Sequence, residues 1–511
     1  MAWRDKSRSQ PHIRLEDRWA TVRIMTMRVS ASSAIGLGVV LLALGCGSDS
    51  SGPPPPAERI VQIARPPQAD TILAAPLQAL VVEVRTETGA TSPDVVVRFT
   101  GLPVAGVFQP TMFVQPLTAT GYAGFASVTT DTRGRAAVQV VFGLIAGSGL
   151  IEVAVPEIGA SDTVAFTVQP GQPYSVRIVP MDTAIRVGGS FQFVGHVLDR
   201  FNNPRTDAVS FAATAAPAGA GVVTSGGQFT STAPSRVTVV ASAGQRTNTA
   251  FVSVVPNGTF AANSADGVVL SDLDGGHRQV LVPGPVSGDV EPAWAPSGQE
   301  IAIAPSGTPR QINFVSVNGS TVAVSWPAAA AGDPYWPTFS SDGQFLYFSD
   351  VQSGSPVGIT RVKRDGSGVE TVAPGLDYRP TVSPDGKRLA YHTVVAGSIV
   401  VQVYDLVTRA VTAEFAGAFP EWAPIGAAAD LAMVDESTLR IVLISSSGAN
   451  RRYLTPVFRR YAFQQMSWSP RGDWLLVRGE LGLELIEISS GLVLPLPFST
   501  AYSYAVWNPG T

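Results

Sequence analysis

The stretch PTVSPDGK, residues 380–387, decides the fold, because five other segments of the chain repeat its pattern. In most copies a large apolar residue is followed by a short turn of the form Pro-x-Gly. The copies are PAWAPSG at 292–298, PTFSSDG at 337–343, PTVSPDG at 380–386, PEWAPIG at 420–426, MSWSPRG at 466–472 and AVWNPG at 505–510. Their glycines are 45, 43, 40, 46 and 38 residues apart. Repeats of this length with several short strands each are typical of β-propeller blades.

Each part of the repeat has a structural role. Proline and glycine reverse the chain between two strands, and the large apolar residue before them packs between neighbouring blades. Asp342 and Asp385 hold the same turn position in two copies, whereas other copies carry Ser297, Ile425 and Arg471 there. We therefore assign both aspartates to turn geometry and not to a catalytic pair.

The six copies enclose only five complete repeats, so one blade needs two separate parts of the chain. Residues 259–261 match the strand that follows a turn, and the last copy ends the sequence. We expect the strand at 504–507 to complete the blade that begins with residues 260–282. This closure makes a six-bladed ring and removes open sheet edges.

This repeat resembles that of the TolB-like propeller family, whose Pro-x-Trp-Ser-Pro-Asp-Gly-Lys motif is matched most fully by residues 380–387. The resemblance covers residues 257–511, about half of the chain, and implies a six-bladed propeller related to WD40-like repeats. TolB itself is a soluble periplasmic protein with a different N-terminal domain. Its particular partners therefore do not carry over.

Two segments before the propeller show short strands with alternating apolar and polar residues, which indicates sheets with one buried face. Residues 57–171 resemble a bacterial Ig-like domain of the invasin type, through Thr130, Asp131, Gly134 and Ala136. Residues 172–256 resemble the second common group of such domains. Both resemblances imply a β-sandwich fold and say nothing about an activity. The predicted fold class is therefore all-β, with two Ig-like β-sandwiches that act as a spacer for a six-bladed β-propeller.

The N-terminal segment has the features of an export signal. Residues 31–44 carry no charge and follow Arg28, and the run is too short for an ordinary transmembrane helix. Residues 42–46, LALGC, hold the only cysteine of the chain and resemble the lipobox of bacterial lipoproteins. The resemblance implies cleavage before Cys46 and lipidation of its thiol, which anchors the protein in a membrane through several acyl chains.

The anchor sets the expected location of the protein. Residues 1–45 form the signal peptide, with Met25 or Met27 as a possible true start, and residues 46–56 form the lipidated cysteine and a Gly/Ser/Pro tether. Within the lipoprotein resemblance, Gly47 directs the protein to the outer membrane. We expect an exported protein whose head faces the periplasm or the cell surface.

Composition excludes several functions. Residues 46–511 carry 28 Lys and Arg against 36 Asp and Glu, an acidic balance that argues against nucleic-acid binding. Residues 47–511 contain no cysteine, and the histidines at 196, 277 and 392 lack metal-ligand spacing, so we expect no cofactor or His/Cys metal site; an all-carboxylate calcium site stays open. The chain has neither a phosphate-binding loop nor a Gly-x-Ser-x-Gly elbow.

The best candidates for a binding site are the residues that should start the innermost strands at the channel mouth. These are Glu291, Trp336, Arg379, Phe419, Gln465 and Tyr504. They could bind a protein or a glycan of the envelope, since aromatic rings supply contact area and polar groups set orientation, or they could simply plug the pore. The sequence therefore favours a non-catalytic binding protein. One alternative is a glycan hydrolase or lyase, in which acids such as Glu291 and Glu421 would have to converge on one face. Another is an adhesin that acts through the Ig-like domains.

Overall fold

The computed structural model describes residues 57–103, 110–284, 291–305, 310–323, 332–375, 377–454 and 466–511. The predicted signal peptide, Cys46, the tether and Gln465 lie outside this range. Within it, the regular elements are β-strands and one 3₁₀ turn at Pro497–Ser499. No helix among these residues is long and apolar enough to cross a bilayer. The all-β fold class is confirmed.

The first sandwich pairs a four-stranded sheet, β1-β3-β7-β5, with a five-stranded sheet, β2-β9-β8-β4-β6. Buried Val164, Phe166 and Val168 alternate with exposed neighbours along β9, so one face of the sheet enters the core. Phe99 and Phe142 fill that core between the sheets. The strands are β1 (Ala57–Ala64), β2 (Ala69–Thr71), β3 (Leu80–Thr86), β4 (Val96–Leu102), β5 (Met112–Pro116), β6 (Phe125–Thr129), β7 (Arg135–Phe142), β8 (Gly147–Val155) and β9 (Ala160–Gln169).

The second sandwich is built from three sheets, β10-β13-β14, β11-β19-β18-β15 and β12-β17-β16. Its core holds Ile178 and the packed rings of Phe193 and Phe229, whose centroids are 6.2 Å apart. The strands are β10 (Ser175–Val179), β11 (Asp182–Arg186), β12 (Ser190–Gln192), β13 (Val194–Leu198), β14 (Pro204–Arg205), β15 (Ser210–Ala216), β16 (Gly221–Val223), β17 (Gln228–Ser231), β18 (Ser235–Ala243) and β19 (Arg246–Val255).

The rest of the chain forms six four-stranded sheets, one for each blade of a propeller. Blade 1 joins β20–β22 to β43, and blades 2 to 6 are β23–β26, β27–β30, β31–β34, β35–β38 and β39–β42. The strands are β20 (Thr259–Ser264), β21 (Gly267–Asp272), β22 (Gln279–Pro283), β23 (Ala293–Trp294), β24 (Glu300–Ile303), β25 (Asn313–Ser316), β26 (Thr321–Ala323), β27 (Asp333–Phe339), β28 (Phe345–Gln352), β29 (Ser355–Lys363), β30 (Glu370–Pro374), β31 (Tyr378–Val382), β32 (Arg388–Val395), β33 (Ser398–Asp405), β34 (Ala410–Ala416), β35 (Ala418–Trp422), β36 (Leu431–Asp435), β37 (Arg440–Ile444), β38 (Arg452–Tyr453), β39 (Ser467–Trp468), β40 (Trp474–Gly479), β41 (Gly482–Glu487), β42 (Val493–Pro495) and β43 (Ser503–Trp507).

The predicted ring closure is confirmed, because β43 pairs antiparallel with β20 and places Trp507 opposite Phe260. The innermost strands are therefore β43, β23, β27, β31, β35 and β39. Since the first and last strands of the propeller pair within one blade, the ring is closed by a complete hydrogen-bonded sheet.

The turn assignment of the two aspartates is also confirmed. Asp342 Oδ1 accepts hydrogen bonds from the Ser340 hydroxyl (2.5 Å) and the Gln344 amide (3.0 Å). Asp385 makes the same pair of contacts, with the Ser383 hydroxyl and with the Lys387 amide at 3.1 Å. Both carboxylates thus satisfy local donors of the turn.

Candidate functional site

The candidate channel-mouth residues share an unusual backbone conformation. Trp336, Arg379, Phe419 and Tyr504 have φ values of 50°, 53°, 55° and 49°, in the left-handed region that residues other than glycine seldom adopt. The register of each innermost strand shifts at this position, as in a β-bulge. A bulge re-aims a side chain, and here it does so in four blades of one ring.

The bulges bring five of the six candidates together around Arg379. The Arg379 guanidinium carbon lies 5.4 Å from the ring centroid of Trp336, 4.8 Å from that of Phe419 and 5.9 Å from that of Tyr504. The same guanidinium forms an ion pair with Glu291. These residues come from five different blades, so they meet at the axis of the ring. The sixth candidate, Gln465, lies outside the described residues.

The ion pair at the axis is almost dry. The side chain of Arg379 is 13% exposed and that of Glu291 is 4% exposed. Desolvation of two charges is costly, and here mutual attraction and the faces of three aromatic rings offset it. The backbone amide of Arg379 donates a hydrogen bond to the Ser349 hydroxyl at 3.2 Å, which fixes the bulge against the preceding blade. In the described residues this cluster therefore plugs one end of the channel.

A buried histidine supports the plug. The His392 ring stacks on Tyr378, with centroids 5.4 Å apart, and its centroid lies 4.9 Å from that of Phe419. Burial lowers the pKa of His392 to about 3, and the positive charge of Arg379 adds to this effect. The imidazole is therefore neutral at physiological pH. Its pairing with Tyr378 lies within blade 4, whereas its contact with Phe419 of blade 5 exists only once the ring is assembled, so the local sequence does not single out this histidine.

Behind the plug, a cavity of about 340 Å³ follows the ring axis. Its wall contains residues of the innermost strands of all six blades. The cavity extends from the plug along these strands and ends at prolines of the Pro-x-Gly turns. Members of the wall include Ala293, Thr338, Pro380, Glu421, Ser467 and Val506, and the prolines at the far end are Pro384, Pro424, Pro470 and Pro509.

Glu421 is the chemically distinctive group in this wall. Burial raises the pKa of Glu421 to about 8; the negative charge of Glu291 raises it further, and a hydrogen bond with the Thr381 side chain opposes the shift. A carboxylic acid with this pKa is mostly protonated at neutral pH. Glu421 occupies the motif position where other blades carry small side chains, Thr338, Thr381 and Ser467. This difference from the other blades is the one feature of the sequence that marks Glu421 as unusual.

The arrangement can hold a ligand group in a narrow polar and aromatic channel. It contains the guanidinium of Arg379, which is paired with Glu291, the protonated acid Glu421 and several indole rings. The described residues contain no group of three or more His, Cys, Asp or Glu side chains placed to hold a metal ion.

Comparison with known proteins finds no matching family model and no matching curated protein. Among solved structures, the chain is similar to TolB from Acinetobacter baumannii, with a TM-score of 0.42 and 18% identity over 54% of this chain and 80% of that one. A structure described as TolB from Agrobacterium tumefaciens gives a TM-score of 0.39 and 17% identity over 49% and 98% of the two chains. A chain of a nidogen/laminin complex gives 0.41 and 11% over 50% and 99%. Because these TM-scores and identities are low, the assignment of a propeller fold rests on the strand pairing within this chain.

Proposed function

We propose that this chain is an exported, lipid-anchored binding protein of the bacterial cell envelope, in which the two sandwiches present a non-catalytic propeller to a protein or carbohydrate partner. The observation that carries the proposal is the cavity on the ring axis, which is lined from six blades and plugged at one end by Arg379 and its ring of aromatic side chains. Ligand pockets fix the orientation of a ligand through a small number of placed polar groups, and Glu291, Arg379 and Glu421 are such groups here.

Location and binding need separate tests. For location, intact cells are treated with protease, and wild type is compared with Cys46→Ala. We expect the variant to leave the membrane fraction, because its acyl chains are lost. Release of propeller peptides from intact cells indicates surface display, whereas protection until the outer membrane is opened indicates a periplasmic head. A Cys46→Ala variant that stays in the membrane contradicts the anchor.

For binding, a photo-crosslinking residue is placed at Thr338 in the cavity wall, and its matched control is placed at Val407, which is 78% exposed on a turn of blade 4. We expect envelope adducts from position 338 and not from 407, together with retention on a glycan array if the partner is a carbohydrate. Equal labelling at both positions, or no partner in either assay, contradicts a binding role for the cavity.

One observation favours the enzymatic alternative enough to test it. Glu291 and Glu421 line the same cavity, and the raised pKa of Glu421 suits a proton donor. Against this, the carboxylate of Glu291 is already paired with Arg379. Glu421→Gln separates the two functions. If the protein is a hydrolase or lyase, wild type turns over an oligosaccharide and Glu421→Gln binds it without turnover. If it is a binding protein, neither wild type nor Glu421→Gln shows turnover.

A further inference from the structure

The charges of the cavity leave one acid without a cationic partner. Among the described lining residues, three are ionisable: Glu291, Arg379 and Glu421. Glu291 and Arg379 neutralise each other in the plug. Within the described part of the chain, no lysine or arginine lies within ion-pair distance of Glu421, whose carboxyl group is hydrogen-bonded to Thr381. A proton or a cation from outside must therefore compensate this carboxylate.

The wall beside Glu421 suits an organic cation. The Trp468 indole nitrogen donates a hydrogen bond to the backbone carbonyl of Glu421 at 3.3 Å, which fixes that ring against the strand of Glu421, and both residues line the cavity. Trp294 lines the same cavity and is fixed by a hydrogen bond to the carbonyl of Val506 at 3.1 Å. Indole faces attract ammonium and guanidinium groups and also pack against the methylene chains that carry them.

The position of the plug sets the direction of access. The Arg379 guanidinium already occupies the cation position at one end, among three rings. A second cation at that end would meet like charge. The other end is lined by turn prolines, including Pro424 and Pro470, without a lysine or arginine in the described lining, and the turns around it carry Asp342 and Asp385 against Lys387 and Arg471. A cationic group therefore reaches Glu421 with least repulsion from the face of the Pro-x-Gly turns.

We infer that the propeller cavity receives a lysine or arginine side chain of a partner protein through the Pro-x-Gly face, with Glu421 as its counter-ion and Trp468 beside it. This inference rests on the proposed binding function and names the chemical class of the ligand. A cavity of about 340 Å³ accommodates one long side chain and not a folded element. The cation replaces the proton that Glu421 otherwise carries.

The test uses the full chain purified from membranes and three capped amino acids: N-acetyl-lysine methylamide, the corresponding arginine compound, and the norleucine compound as a neutral match for lysine. Calorimetric titration at pH 8 should show binding of a cationic probe and at least tenfold weaker binding of norleucine. Glu421→Gln should weaken the cationic probe at least tenfold. Glu436→Gln, at an exposed acid in a turn of the same blade, should leave it unchanged.

The variant is expected to fold, because glutamine has nearly the shape of the protonated glutamate that it replaces. A melting curve of each variant checks this directly. Two results overturn the inference: cationic probes that bind equally well to Glu421→Gln, or a neutral probe that binds as well as lysine. If no cationic probe binds while the crosslinked partner still does, this inference fails and the proposed binding function survives. If an amino sugar binds in a way that depends on Glu421 and the lysine probe does not bind, the occupant is not a protein side chain and the inference is also wrong.

Discussion

At the scale of single residues, the Arg379–Glu291 pair shows that the closed ring brings residues far apart in the sequence into contact. The two residues are on blade 4 and just before blade 2, yet both side chains are nearly removed from water. A desolvated charge without its partner is strongly unfavourable, whereas an apolar pair of similar volume can be neutral or stabilising. The plug is thus expected to be sensitive to the loss of one partner and tolerant of the loss of both.

The first prediction follows from this asymmetry. Glu291→Gln leaves the guanidinium of Arg379 without a negative partner and should lower the free energy of unfolding by about 3–5 kcal/mol. The double variant Glu291→Gln with Arg379→Met should recover most of that loss. Urea denaturation followed by tryptophan fluorescence reports on the propeller, because all tryptophans after residue 46 lie within residues 257–511. Loss of less than about 1 kcal/mol in the single variant means that the pair is hydrated.

The second prediction concerns Glu421 and pH. The pKa of Glu421 is about 8 in the fold, above its ordinary value of 4.5, so between these values the folded chain keeps a proton that the unfolded chain releases. The contribution of Glu421 to stability is therefore complete below pH 4.5 and is lost as pH rises toward 8. Neutral His392, with a lowered pKa, has the opposite effect below pH 6.5. Stability should fall between pH 6.5 and 8 in wild type.

The control for this prediction is the pair of glutamine variants. Glu421→Gln cannot titrate, so its melting temperature should change less with pH between 6.5 and 8 than that of wild type. Glu436→Gln should keep the wild-type slope, because that side chain is exposed. Equal slopes in all three proteins contradict the buried, protonated state of Glu421.

At the scale of elements, the repeated turn was predictable and the repeated bulge was not. Proline and glycine mark the turn in the local sequence, so spacing alone gave six blades and the ring closure. The bulge places Trp336, Arg379, Phe419 and Tyr504 in a conformation that glycine usually marks, and no glycine is present. The side chains are held by partners from other blades, such as Ser349. Those contacts exist only once the ring is closed, so the sequence named the site residues without showing that they form a plug.

The third prediction tests the bulge in β35. At Phe419, with φ of 55°, isoleucine should be more destabilising than leucine by about 1–2 kcal/mol, because a β-branched side chain clashes in the left-handed region. The two substitutions remove the same ring and leave the same volume, so leucine is the matched control. Urea denaturation of both variants measures the difference. Equal stability of the two variants contradicts a left-handed residue at this position.

At the scale of the whole molecule, the sandwiches and the propeller share contacts that a loose spacer would lack. Val255 of β19 is wholly buried in one cluster with Phe260 of the propeller. Arg186 bridges the domains, 3.0 Å from Asp274 and 3.3 Å from Asp272. The second sandwich is therefore in direct contact with the propeller.

The two sandwiches are joined by a buried polar network centred on Asn203. The Asn203 carboxamide accepts a hydrogen bond from the amide of Ala146 (2.8 Å) and donates one to the carbonyl of Leu144 (2.7 Å), both in the first sandwich. Beside it, the Asp199 carboxylate accepts a hydrogen bond from the amide of Gly171 at 2.8 Å. Asp199 and Asn203 are 1% and 6% exposed, so water does not easily replace these partners. The polar groups of the joint are thus satisfied across it.

The fourth prediction is that Asn203→Ala loosens this joint. The substitution removes the partners of the Ala146 amide and the Leu144 carbonyl, which are partly buried, at a cost of up to about 1 kcal/mol for each group. Separation of the sandwiches lets water reach both groups, so the chain should relieve the cost by bending there. We expect a broader distance distribution between spin labels at Glu157 and Glu414, and faster proteolysis near residues 170–173. Asn248→Ala is the matched control, because that carboxamide donates to Val176 within the second sandwich alone. A control that broadens the distances as much as Asn203→Ala would locate the flexibility inside the sandwich and not at the joint.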